Sequence, residues 1–240
     1  MSPRRPAPAW SHEQLARTWQ AASILLSYPD RRLRADLPLV GAVVATLPDE
    51  LADPLDTVLA TLSDTPLSRL QPEYVETFDS RRRTNLYLTY FAHGDTRKRG
   101  LALLRFKQTY LRSGYLLDEH GGELPDHLCV VLEYAATVDQ DLGWQLLLDH
   151  RAGLELLRLA LTEDKSPWAG AVQAVCATLP PLRGDERDAV RRLAAEGPPA
   201  EEVGLDAYGG PAFDPALPPA PGSVDPGPVD LPMPAVGGTR

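Results

Sequence analysis

The chain is expected to fold as an all-α protein, on two observations. From His12 to Glu196 apolar residues recur at three- and four-residue spacing, in runs punctuated by helix-capping residues, prolines and glycines. No apolar–polar alternation bounded by hairpin turn signals supports a strand, and no fixed-period repeat is visible. The reading gives about eight or nine helices in a single domain over residues 11–196. A flexible N-terminus, 1–10, precedes it, and a Pro/Gly-rich acidic tail, 197–240, follows.

The elements follow in order. Ser11-His-Glu-Gln14 is a capping box, and Leu15, Trp19, Ala22 and Leu26 continue at helical spacing until Pro29. Leu33–Leu47 and Pro54–Leu62 read as two more helices. Asp95 is placed to cap a long helix over Thr96–Ser113, with Gly114 just past its end, where a left-handed residue is wanted. Pro125 stands as a first-turn proline, opening a helix through Leu128, Val131, Leu132 and Ala135. Gly143–Leu161 is leucine-rich, Ser166-Pro167 starts a helix running to about Leu179, and Asp185 starts a last one that Gly197 stops. The tail holds 11 of the 24 prolines and 8 of the 18 glycines, and its only aromatics are Tyr208 and Phe213. So little apolar surface does not offset the entropy of ordering, and the tail reads as disordered.

Composition excludes several classes. With 33 acidic against 24 basic residues the net charge is -9, and the pI is near 5.0, which disfavours a generic nucleic-acid binder. Cys129 and Cys176 are too far apart for a zinc knuckle, and two cysteines make no disulfide framework. No apolar stretch reaches membrane-span length, and Arg4 and Arg5 have no apolar run behind them, so the expectation is a soluble cytoplasmic protein. G-x-S-x-G and papain-type surrounds are absent, and no catalytic set emerges.

Charge is unevenly distributed. Arg69–Arg112 carries a net +6 inside this acidic chain, while the tail carries -5. Half of the 16 aromatics lie between Tyr74 and Tyr115, interleaved with Arg81, Arg82, Arg83, Arg97, Lys98 and Arg99. Basic residues among aromatics suit a contact surface for an anion or a polypeptide; equally, the aromatics can be core and the charges a solvated face. Arg97, Lys98 and Arg99 stand in the first turn of their helix and oppose its dipole, at roughly 0.3–1 kcal/mol each when exposed. That turn is better explained if it meets an anion: a carboxylate within the protein, an acidic group of a partner, or a phosphate. The run His93-Gly-Asp-Thr-Arg-Lys-Arg-Gly100 lacks P-loop spacing. His120-Gly-Gly-Glu-Leu-Pro-Asp-His127 brings two histidines and two carboxylates together, yet lacks the i, i+4 ligand pair of helical zinc sites, so no metal is assigned. Asp126 is dipole-favoured near a helix start, and His127 titrates near neutrality.

Taken in order, these segments resemble a known family. Tyr74-Val-Glu-Thr-Phe-Asp79, Arg81-Arg-Arg-Thr-Asn-Leu-Tyr-Leu-Thr-Tyr90, His93–Gly100, Leu103-Leu-Arg-Phe-Lys107, Glu123-Leu-Pro-Asp-His-Leu128 and Val131-Leu-Glu-Tyr-Ala135 are similar to the nitrate reductase delta subunit, the NarJ-type molybdenum cofactor assembly chaperones. The likeness is dense from about Gln71 to Ala136 and does not cover the tail. It implies a TorD-like, all-helical redox enzyme maturation chaperone rather than an enzyme. Such a chaperone binds the apo catalytic (alpha) subunit of respiratory nitrate reductase, including its N-terminal segment, or the alpha–beta complex. It works in the cytoplasm; apart from the resemblance, a monomer is the default, and the net charge of -9 argues against nucleic acid as a partner. It keeps its client competent for insertion of molybdopterin guanine dinucleotide, without holding that cofactor permanently. The resemblance puts Glu123, Pro125, Asp126 and His127 in the peptide-binding region. There Asp126 would accept a charge-assisted bond from a basic client residue, and His127 would tune affinity with pH. Arg81, Arg82, Arg83, His93, Asp95, Arg97, Lys98 and Arg99 join them as candidate client contacts. Two other readings stand beside this one: a structural subunit retained in the reductase complex, and a phosphate- or nucleotide-binding helical factor using His93–Gly100.

Overall fold

A computed structural model describes residues 9–94, 96–117, 122–182 and 184–196, all within one compact unit. Among them are eleven α-helices and no strand. They are α1 (His12–Leu25), α2 (Arg31–Val44), α3 (Asp49–Asp64), α4 (Leu67–Tyr74), α5 (Tyr90–His93), α6 (Arg97–Arg112), α7 (Leu128–Thr137), α8 (Gln140–Asp149), α9 (Arg151–Glu163), α10 (Ala169–Ala177) and α11 (Gly184–Glu196). A π turn, Val75–Asp79, extends α4, and a 3-10 turn covers Arg82–Thr84. The expected tail, the Asp95 cap, His120 and Gly197 lie outside the described residues.

The Ser11 capping box forms as expected: the Ser11 hydroxyl accepts from the Gln14 amide at 3.2 Å, and the Gln14 side chain accepts from the Ser11 amide at 2.9 Å. Asp30 and Asp139 cap α2 and α8, accepting from Leu33 and Leu142. Gly114 has φ 72 just past α6, a conformation that costs glycine nothing.

The core is built on α1, which packs on α7, α2 and α10, while α10 packs on α3 and α9. Trp19 and Trp168 are its largest fully buried side chains. Trp19 Nε1 donates to the Thr178 hydroxyl at 3.0 Å, and Trp10 Nε1 donates to the Ala177 carbonyl at 3.0 Å, so α1 and the segment before it are tied to the end of α10. Two helix crossings are close enough to require glycine. A Cβ at Gly143 would lie 2.3 Å from the Ala135 Cβ, and one at Gly170 would lie 2.0 Å from the Pro54 carbonyl oxygen.

Several boundaries differ from the expectation. Pro125 does not open α7; the helix starts at Leu128, with His127 extended at φ -64, ψ 130. The cause is a backbone pairing: the Leu88 amide donates to the Asp126 carbonyl at 3.0 Å, and the Leu128 amide donates to the Leu86 carbonyl at 2.8 Å. Thr96 holds the N-cap position of α6, and its hydroxyl donates back to the His93 carbonyl at 2.8 Å. The leucine-rich stretch is two helices, α8 and α9, broken at His150, whose φ of -109 and ψ of 18 interrupt the ladder. The helix expected at Ser166-Pro167 starts at Ala169. The short α4 and α5 carry no sequence signal that single-chain periodicity detects.

Candidate functional site

The Leu86–Leu88 and Asp126–Leu128 segments form the only isolated β-bridge among the described residues, Tyr87 opposite His127. It brings motif residues together from segments that are distant in the chain. Asp126 is fully buried. Its Oδ2 accepts from the Thr89 hydroxyl at 2.5 Å and from the Thr89 amide at 3.2 Å. Arg99 Nη2 lies 3.7 Å from the same oxygen, and Arg99 Nε donates to the Thr89 hydroxyl at 3.3 Å. The Arg99 guanidinium sits over the rings of Tyr87 and Tyr90, 5.2 and 5.9 Å from their centroids. Of the anions that the basic first turn of α6 could meet, Arg99 therefore meets an internal carboxylate. The outward role expected for Asp126, as acceptor for a client's basic residue, does not match this position, because its solvent face is closed and Thr89 and Arg99 surround Oδ2.

His127 is also buried, with its ring edge-on to Tyr87 at 5.1 Å. Burial holds its pKa below the ordinary value, outweighing the upward pull of Glu123, Asp126 and Asp79. Its Nδ1 and the second oxygen of Asp126 are buried without a hydrogen-bond partner. Pro125 is buried, and its carbonyl accepts from the Tyr110 hydroxyl at 2.5 Å. Glu123 is exposed, and it accepts from the Tyr87 hydroxyl at 2.8 Å.

Tyr87, Glu123 and His127 also line a cavity of about 330 Å³. Tyr28, Tyr74 and Phe78 are its aromatic wall, with the Tyr74 ring edge-on to Tyr28 at 5.5 Å and tilted against Phe78 at 4.7 Å. Asp79 is exposed beside it, so carboxylates stand on its rim. Cys129 contributes to the wall; burial pushes its thiol pKa up to about 12, which leaves it a small apolar group rather than a nucleophile. Tyr28, Tyr74 and Phe78 escaped the residue-level reading of the site, for Tyr28 lies between α1 and α2, Tyr74 and Phe78 lie on α4 and the π turn after it, and none of the three carries charge.

The basic island divides. Arg81 is paired with Glu76 at 3.2 Å and Asp164 at 2.9 Å, and Arg83 with Glu163 at 3.0 Å. Glu163 and Asp164 stand at the C-terminal end of α9, where acidic charge opposes the dipole, so these arginines offset that cost and tie the 75–84 segment to α9. Arg82, Arg97 and Lys98 are exposed, and His93 is half-buried. Among the described residues no group of three or more His, Cys, Asp or Glu is placed to hold a metal ion. None of the described helices is long and apolar enough to cross a membrane.

The described residues thus form an all-helical domain with an aromatic, acid-rimmed cavity and no metal cluster among them. The sequence model of one family, described as the nitrate reductase delta subunit, matches residues 45–174, and the chain belongs to that family. NarJ of Bacillus subtilis, described as a "probable nitrate reductase molybdenum cofactor assembly chaperone", is 34% identical over 163 residues, 68% of this chain and 88% of that one. The NarJ chaperone of Escherichia coli strain K12 is 35% identical over 150 residues, 61% of this chain and 63% of that one. The nitrate reductase-like protein NarX of Mycobacterium tuberculosis is 44% identical over 160 residues, which are 67% of this chain but only 24% of NarX.

Proposed function

We propose that this protein is an assembly chaperone for a respiratory nitrate reductase, acting in the cytoplasm on the apo catalytic subunit and binding that subunit's N-terminal segment. The observation that carries the reading is the cavity walled by Tyr28, Tyr74, Phe78, Tyr87 and His127 and rimmed by Asp79 and Glu123. Its volume, about 330 Å³, is at the low end for ligand sites and suits a peptide's apolar side chain. The rim carboxylates suit a neighbouring Arg or Lys of the same peptide. The name borne by the NarJ relatives supports this client, and membership of their family supports a chaperone rather than a catalyst. Molybdopterin guanine dinucleotide is then cargo for the client, held by the client and not by the chaperone.

In this reading Glu123 contacts the client directly, and Asp126 acts through position: it holds Thr89 and Arg99, and with them the bridge that seats Tyr87 against His127. Calorimetric titration with a synthetic peptide of the client's N-terminal segment tests it. Saturable binding is expected, weakened by about tenfold in a chain carrying Asp79→Lys and Glu123→Lys, both exposed positions that leave the core untouched. Binding indifferent to both changes would place the peptide elsewhere. Absence of binding to the peptide and to the whole apo subunit would remove the function.

A further inference from the structure

Helix α6 carries apolar residues on its outer side as well as on its buried one. It carries six basic residues and no acidic one in 16 positions. Its buried side is Ala102, Phe106 and Tyr110, whereas Leu101, Leu104 and Leu111 on the outer side are 66%, 52% and 57% exposed. Leu101, Leu104, Gln108 and Leu111 follow three-four-three spacing, the a and d positions of a heptad, and so form one stripe along the helix. In that register Lys98, Arg105 and Arg112 all fall at e, along one edge of the stripe. Arg97, Lys98, Arg105 and Arg112 make no ion pair with another described residue. Arg105, Gln108 and Arg112 also form one wall of a cavity of about 620 Å³, with Gln145, Leu146 and Asp149 of α8 opposite.

We infer that the outer stripe of α6 is a docking surface for an acidic amphipathic helix of a partner protein, packed as a short coiled-coil pair. The partner's apolar residues would cover Leu101, Leu104 and Leu111, and its Glu or Asp side chains would face Lys98, Arg105 and Arg112. Charge selects this occupant. A second copy of the chain would set cation against cation in either orientation: e against e when antiparallel, and e against the g-position Lys107 when parallel. Width selects against a lipid surface. The stripe spans roughly 80° of the helix and is interrupted by Gln108, whereas an interfacial helix presents a broad apolar face, commonly with aromatics. A single polar residue in such a seam sets the register of a helical partner. None of these residues lines the Tyr87–His127 cavity, so the inference does not depend on what that cavity binds.

The test uses the full chain and a designed helix of about 21 residues with Leu at a and d and Glu at e and g, whose like charges keep it from pairing with itself. A second peptide carries Lys in place of Glu. Fluorescence anisotropy should show saturable binding of the acidic helix, weakening as salt rises, with the lysine helix at least about tenfold weaker. Arg105→Glu with Arg112→Glu should invert that preference. Leu104→Asp with Leu111→Asp should abolish binding while the helical circular dichroism and urea midpoint stay unchanged, since both side chains are exposed. Equal affinity for the two helices, or a preference that the charge reversal leaves intact, overturns the proposal. So does a concentration-dependent dimer with α6 at its interface. So, finally, does leucine-dependent cosedimentation with phosphatidylglycerol vesicles when the acidic helix fails to bind.

Discussion

Asp126 shows what a motif conveys and what it omits. Its neighbours along the chain, Glu123, Pro125 and His127, were legible as a unit, but the direction each side chain takes was not. The partners of Asp126 come from elsewhere: Thr89 stands 37 positions earlier, and Arg99 comes from the first turn of α6. Spacing reports helical neighbours and is silent about such crossings. The result is that Glu123 faces solvent, Asp126 faces Thr89 and Arg99, and His127 walls the cavity. Asp126→Ala leaves the Thr89 hydroxyl without its acceptor and removes a carboxylate from beside a largely buried guanidinium, with an expected loss of roughly 2–4 kcal/mol in chemical denaturation. Asp126→Asn should lose less, because an amide oxygen still accepts from Thr89. Equal stability of all three chains would show that the buried carboxylate contributes nothing.

At the scale of elements, caps and prolines read well where the contacts that decide them are local. The Ser11 box and Gly114 are where the sequence put them, since each needs only residues three or four apart. The start of α7 and the break at His150 were not legible. The first is imposed by pairing with Leu86–Leu88, and the second lies inside a leucine run whose periodicity continues through it. Helix crossings are equally invisible to periodicity, yet two of them rest on single glycines. Gly170→Ala would drive a methyl into the Pro54 carbonyl and push α10 off α3, and Gly143→Ala would do the same between α8 and α7. Each is expected to cost about 1–3 kcal/mol by thermal or urea unfolding. Gly100→Ala, where a Cβ meets nothing, should be neutral or slightly stabilising in the interior of α6.

For the whole molecule, the all-helical architecture was legible because nearly every helix buries one periodic face in a shared core. What composition does not convey is how that core sets the response to pH. His127 and His150 are both held below the ordinary histidine pKa, chiefly by burial. The unfolded chain therefore takes up protons at these positions near pH 6.5, while the folded chain resists until lower pH. Stability is thus complete above the ordinary value and declines as pH falls below about 6.5. The urea midpoint should drop between about pH 7.5 and about pH 5.5, and His127→Gln with His150→Gln should flatten that part of the drop. An unchanged slope in the double variant would show that carboxylates alone govern the acid response.

The clasp between Leu86–Leu88 and Asp126–Leu128 has a consequence for how this chain can vary. Two backbone hydrogen bonds pin both ends of the excursion that carries α5 and α6. Once a loop is closed at its base, doubling its length adds only about 0.6 kcal/mol of closure entropy. Surface changes within the excursion that spare Thr89, Arg99, Phe106 and Tyr110 are therefore expected to leave Tyr87 seated against His127. The clasp lets the outer face of α6 diverge, outward leucines included, while the cavity keeps its shape.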